Sequence, residues 1–125
     1  MTVRKKQVSV VDDDESVREA LPDLLRSFGL SVEAFASAEA FLNSKSLQIS
    51  DGMILDVAMP GMTGPELQQE LGRRGRKISI IFITAIKDED VRSRLIREGA
   101  SDCLFKPFSA DDLQDALRLA SLLDE

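Results

Sequence analysis

Val8-Ser9-Val10-Val11-Asp12-Asp13-Asp14 is a short apolar run that stops abruptly on consecutive carboxylates. Other runs end in a related way: Met53-Ile54-Leu55 on Asp56, Ile80-Ile81-Phe82-Ile83 on Thr84, and Cys103-Leu104-Phe105 on Lys106. Runs of this length without polar alternation are those of strands buried on both faces, because helices cover both sides of a parallel sheet. In open parallel sheets the ligand sits beyond the carboxyl ends of the strands, where the winding reverses. The sequence therefore predicts carboxylates, a hydroxyl and an ammonium gathered on one rim.

Between these runs lie helical patterns, so strand and helix alternate along the chain. Residues 15–28 carry Val17, Leu21, Leu24, Leu25 and Phe28 on one stripe, with Gly29 as the stop. Pro22 falls inside that stripe, where it removes a backbone bond at a cost of roughly 3 kcal/mol. The stripe stays in phase across it, which predicts a kink rather than a break. A second strand is expected over 32–36 and a short helix from the Ser37 cap through about Asn43. Further helices are expected after Pro65 through about Arg73, from about Asp88 to Arg97 ahead of Gly99, and from Ser109 to about Leu122. Ser109 and Asp112 form a capping box with Asp in place of Glu. The product is an α/β fold of (βα)5 type.

The 125 residues, 43% hydrophobic, contain no low-complexity tract, repeat or Pro/Gly-rich linker, which predicts one domain over 1–125 with an ordered core at approximately 6–122. Met1 to Lys6 is basic, but the apolar stretch behind it is too short for a signal peptide and nothing approaches a membrane span. A cytoplasmic location and no membrane partner are expected. Cys103 is the only cysteine, which forbids an internal disulfide, and its place in a strand marks it as a small core residue. Histidine is absent, which excludes histidine metal ligands, a histidine general base and a phosphohistidine carrier. A net charge of −6 argues against nucleic acid binding by this domain itself, since phosphate neutralisation needs clustered Lys and Arg.

Adjacent carboxylates at one strand end, with another from a neighbouring strand, make an all-oxygen anionic pocket that suits a hard, well-hydrated cation, and Mg²⁺ fits best. A carboxylate beside such a cation can act as nucleophile toward a phosphoryl group. Lys106 would supply charge for one phosphoryl oxygen and the Thr84 hydroxyl a hydrogen bond for another. Taken singly, each residue has an ordinary explanation, an acidic run after a strand being usually a solvated loop. Their shared place at strand carboxyl ends is what carries the chemistry.

The segments VVDDDES (10–16), ILDVAMPGMTG (54–64), FITA (82–85) and FKPF (105–108) resemble, in order and spacing, the receiver domain of two-component response regulators. The resemblance covers essentially the whole chain. It implies a flavodoxin-like, doubly wound sheet of parallel strands in the order 2-1-3-4-5. It implies that Asp56 is the phosphoacceptor and that Mg²⁺ is held by Asp12, Asp13, Asp56 and the main-chain carbonyl of Ala58. Lys106 would contact the phosphate, and Thr84 would be the hydroxyl that shifts when the phosphate arrives. Pro60, Gly61 and Gly64 would shape the loop after the acceptor. The donor implied is a histidine kinase or phosphotransfer protein, approaching over the first helix near Val17 and Ala20 and the loop at Pro107. The output face implied is made by the fourth helix, fifth strand and fifth helix; the division of charge over it is that of a solvated face or of a symmetric homodimer in which unlike helices meet. The resemblance also implies a cis Lys106–Pro107 bond and a signalling domain that catalyses only its own phosphorylation and dephosphorylation.

The chain departs from the family pattern at two positions. Many receivers carry an aromatic three residues before the phosphate-binding lysine, and Cys103 stands there, so a ring rotamer cannot report activation. Phe105 stands where many relatives have a polar residue, either as a scattered surface side chain or as an exposed anchor on the output face. Charge on that face is split, with Lys87, Arg92, Arg94 and Arg97 set against Asp102, Asp111, Asp112 and Asp115. Ala58 and Ile86, at positions where receivers vary, offer no side-chain donor or acceptor to orient a hydrolytic water, which predicts slow decay of a phosphorylated Asp56. Asp12-x-Asp14-x-Ser16 also resembles the first motif of haloacid-dehalogenase-type phosphatases, which would make Asp12 a nucleophile, but that reading leaves residues 54–64 unexplained and lacks a cap domain. A degenerate receiver acting as a binding module is the third alternative, set against the presence of all the defining side chains. With no output motif in the sequence, either a stand-alone receiver or part of a longer regulator is expected.

Overall fold

The computed structural model describes residues 5–124; Met1 to Arg4 of the basic amino-terminal stretch and Glu125 lie outside the described residues. The strands are β1 Gln7–Val11, β2 Ser31–Phe35, β3 Gly52–Asp56, β4 Ser79–Thr84 and β5 Asp102–Phe105. They pair in parallel as β2-β1-β3-β4-β5, so the winding reverses between β1 and β3. Val11 stands opposite Leu55, Asp56 opposite Ile83 and Thr84 opposite Phe105, which brings the last residues of the central strands to one rim.

The strand residues alternate between two apolar layers, which is why the runs show no polar alternation. Val11, Met53, Leu55 and Phe82 pack on one side with Phe41, Leu67, Leu71 and Leu95. Val10, Ile54, Ile81 and Ile83 pack on the other with Leu21, Leu25, Leu113 and Leu117. Each fully buried side chain of this size stabilises the fold by about 1.5–3 kcal/mol relative to exposure.

The helices are α1 Glu15–Ser27, α2 Ala38–Leu42, α3 Ser46–Ile49, α4 Gly64–Arg73, α5 Glu89–Arg97 and α6 Ala110–Leu119. The single turn α3 is unforeseen by periodicity; the third, fourth and fifth helices expected from the sequence are α4, α5 and α6. Helix α1 runs unbroken through a buried Pro22. Ser37 caps α2 by accepting from the Ala40 N–H, and Ser109 with Asp112 forms the expected reciprocal box on α6. Thr63 and Glu66 form a second such box on α4. Helix α6 ends at Leu119 rather than near Leu122. The backbone turns left-handed at Ser121 (φ 59°), and the Leu122 side chain folds under the sheet into the space a Cβ on Gly52 would fill. The Lys106–Pro107 bond is cis.

Candidate functional site

The acidic run divides its labour. Asp14 is spent on structure: its Oδ1 accepts from the Ser16 N–H at 2.9 Å and caps α1. Asp12 turns inward and is fully buried. Its N–H donates to the Phe35 carbonyl at 3.1 Å, its Oδ1 accepts from the Asp14 N–H at 2.9 Å, and its Oδ2 accepts from Lys106 Nζ at 2.9 Å. Its carbonyl accepts from Arg18 Nη1 at 2.9 Å, a contact that sequence pattern does not reveal. Asp13 faces solvent. With both Asp12 oxygens engaged and the residue 0% exposed, Asp12 is not presented as a nucleophile, contrary to the phosphatase alternative.

Asp56 closes β3 at the same rim, 7% exposed. Carboxylate oxygens of Asp12, Asp13 and Asp56 all lie within 4.8 Å of one another. Burial and the neighbouring Asp12 charge push the Asp56 carboxyl up to about 7, with Lys106 acting in the opposite sense. Lys106 Nζ stands 3.8 Å from Asp56 Oδ1. Acidic groups held this close repel one another, and a divalent cation is the natural relief; the donor set, oxygen throughout and partly open to solvent, fits Mg²⁺.

Thr84 ends β4 beside β3 and is buried. Its Oγ1 accepts from the Ile86 N–H at 3.1 Å, and its carbonyl accepts from the Lys106 N–H at 2.8 Å, which links the hydroxyl to the lysine through the backbone.

The loop after Asp56 is shaped as expected, for reasons the structure supplies. A Cβ on Gly64 would stand 2.3 Å from the Asp56 carbonyl oxygen, and the Gly64 N–H donates to the Val57 carbonyl at 3.0 Å. Gly61 takes φ +73°, and Glu39 from α2 reaches across to accept the Met62 N–H at 3.1 Å. Ala58 and Ile86, flanking the site, are exposed, Ile86 to 67%. Their side chains thus stand in solvent rather than packed over the carboxylate.

Cys103 is buried as expected of a core residue, and that burial pushes its thiol up to about 11, so it stays protonated. Phe105 is half-buried, less exposed than either sequence reading expected. The charge division on this face is partly consumed within the chain: Arg92 of α5 pairs with Asp102 of β5 at 2.8 Å.

An apolar groove of about 380 Å³ lies next to the rim, lined by Val17, Ala20 and Leu24 of α1 and by Lys106, Pro107 and Phe108. A cleft of about 520 Å³ opens at the opposite end of the sheet, among Lys6, Ser50, Arg76 and Leu122, and holds none of the rim residues.

Residues 8–118 match the model of the response regulator receiver domain. The chain is 42% identical over 120 residues to the response regulator protein TodT of Pseudomonas putida, covering 96% of this chain and 53% of that protein. It is 41% identical over 112 residues to the transcriptional regulatory protein FixJ of Azorhizobium caulinodans, covering 89% of this chain and 53% of that one. It thus spans about half the length of these curated relatives. Among solved structures, the response regulator StyR superposes with a TM-score of 0.84 at 44% identity, over 94% of this chain and 59% of that one. No helix among the described residues is long and apolar enough to cross a membrane. On the family match, the identity to these relatives and the shared strand order, the chain belongs to the receiver domains of response regulators.

Proposed function

We propose that this chain is the phosphoacceptor switch of a two-component phosphorelay, with Asp56 as acceptor. The observation that carries the reading is the convergence of the Asp12, Asp13 and Asp56 carboxylates within 4.8 Å, with the Lys106 ammonium beside them. An Asp56 oxygen attacks the phosphorus of a phosphohistidine on a histidine kinase or phosphotransfer protein. The new O–P bond forms as the P–N bond breaks, and that bond's electron pair returns to the imidazole. Bound Mg²⁺, held by Asp12, Asp13, Asp56 and the Ala58 carbonyl, would neutralise charge on the attacking and transferred oxygens. Lys106 supplies a fixed positive charge at one phosphoryl oxygen, and the Thr84 hydroxyl donates to another once it leaves Ile86. The α1 groove, apolar and adjacent to Lys106, suits the helical surface of a donor. Taken as one receiver unit over 1–125, the chain would change its α5/β5/α6 face on phosphorylation. That face would then serve an output partner or a second copy, in a cytoplasmic regulator whose output lies in another segment or protein.

The test is intact-mass measurement after incubation with acetyl phosphate and Mg²⁺. One phosphoryl group is expected on the native chain and none on Asp56→Asn, with Asp13→Ala losing the dependence on Mg²⁺. Unchanged incorporation into Asp56→Asn overturns the assignment.

A further inference from the structure

Helix α5 is held to the sheet by a narrow apolar strip, in which Leu95 and the half-buried Val91 pack on one core cluster. Among its described residues only Leu95 is buried, and Asp88 closes its first turn locally by accepting from the Asp90 and Val91 N–H groups. Against that thin packing stands a polar clasp. Arg92 reaches from the first turn of α5 to β5, donating from Nε to the Cys103 carbonyl at 2.9 Å and from Nη2 to Asp102 Oδ1 at 2.8 Å. The same Asp102 oxygen accepts the Cys103 N–H at 2.8 Å. The two side chains are 34% and 11% exposed, so solvent screens this pair less than an ordinary surface ion pair. Both backbone groups of Cys103, a residue too small to lever anything by changing rotamer, are thereby tied to α5.

At its start α5 is joined to the rim by the exposed segment from Ala85 to Lys87, which follows Thr84. Its tie to the rim is the Ile86 N–H, donated to Thr84 Oγ1 at 3.1 Å. A hydroxyl drawn toward a phosphoryl oxygen on Asp56 leaves that N–H behind and pulls on the segment. The start of α5 can follow only as far as Arg92 allows.

We propose that the Arg92–Asp102 clasp is a restraint on switching: it holds α5 against β5 in the unphosphorylated protein and so opposes occupation of the phosphoryl site, which loosening the clasp favours. The proposal rests on reading Asp56 as the phosphoacceptor. Arg92 touches neither phosphoryl group nor metal and acts as a positioning residue through α5. Because the restraint stabilises the unoccupied arrangement, its removal favours the occupied one.

The test uses the native chain, Arg92→Ala and Asp102→Asn, the last keeping an acceptor for the Cys103 N–H while removing the charge. Amide hydrogen exchange of residues 89–97 is measured without divalent cation, and beryllofluoride, a phosphoryl mimic, is titrated in Mg²⁺. Arg92→Ala should exchange faster across α5 and bind beryllofluoride about threefold to tenfold more tightly. Asp102→Asn should move both readings the same way by less, and the double variant should add little to Arg92→Ala because both act on one clasp. Faster exchange with unchanged or weaker beryllofluoride binding makes the clasp merely structural and overturns the proposal. Unchanged exchange in both variants overturns it as well. Failure of the native chain to bind beryllofluoride, or equal binding by Asp56→Asn, instead sinks the phosphoacceptor reading and the coupling with it, whatever the exchange data show.

Discussion

Lys106 hydrogen-bonds Asp12, at 2.9 Å, and pairs only loosely with Asp56, which its ammonium approaches to 3.8 Å. The buried Asp12 carboxylate thus stations the charge at the rim, which on the proposed function leaves Asp56 to meet a phosphoryl group. Removing the lysine leaves Asp12 buried without its counter-ion, so Lys106→Ala should lose about 2–4 kcal/mol of stability. Denaturant unfolding checks this. Adding Asp12→Asn to Lys106→Ala should recover part of the loss, and a further additive loss would show that the pair does not act together.

Asp56 carries a carboxyl raised from 3.8 to about 7. An acid whose folded value lies above its unfolded one costs stability that is absent below pH 3.8, grows as pH rises and is complete above about 7. In metal-free buffer at pH 8, Asp56→Asn should therefore be more stable than the native chain, by about 1–3 kcal/mol. That advantage should shrink as the pH falls toward 4. Added Mg²⁺ should stabilise the native chain and not the variant. Urea titrations at several pH values, with and without Mg²⁺, read both effects; a gap that widens on acidification contradicts the account.

Gly64 and Gly72 lie in the same helix, yet alanine should act oppositely at the two positions. At Gly64 the new methyl would stand 2.3 Å from the Asp56 carbonyl and 3.0 Å from the Phe82 ring, so the acceptor strand or α4 must shift. A loss of about 2 kcal/mol or more is expected, together with slower reaction with acetyl phosphate. At Gly72 nothing lies within 4 Å, and the usual helical preference should stabilise by about 0.5–1 kcal/mol. Thermal melts of the two variants settle the comparison.

Ala58 and Ile86 present no polar atoms from their side chains near Asp56, and both are exposed to solvent, from which a phosphorylated Asp56 would draw its hydrolytic water. Ala58→Asn and Ile86→Glu should each accelerate loss of the phosphoryl group in Mg²⁺ by supplying a group that orients water. If neither does, these positions do not limit decay.

The sheet and its rim were legible because both depend on short-range pattern. A strand covered on both faces must be apolar throughout, so Val8 to Val11 and Ile80 to Ile83 announce themselves, and the residue that ends each run is the one placed at the rim. What escaped depends on tertiary proximity or on elements too short to show a period. The turn at Ser46–Ile49 cannot display a helical repeat. Thr63 with Glu66 is a capping box at a spacing the sequence displays, with Pro65 between them marking the same helix start. The Glu39 contact to Met62, the Arg18 contact to Asp12 and the Arg92 contacts to β5 are made by charged side chains that pattern alone assigns to solvent. The half-burial of Phe105 belongs with these, since neighbours from elsewhere in the chain decide how much of it water reaches.

β5 is the last strand of the sheet on its side, and an outermost strand normally offers unpaired amides and carbonyls to any extended chain that comes near. At Cys103 both groups are already taken, the N–H by Asp102 and the carbonyl by Arg92. The arginine thereby keeps the carbonyl from pairing with a foreign strand at this point of the border, and a variant lacking it would free that carbonyl while the N–H stays with Asp102.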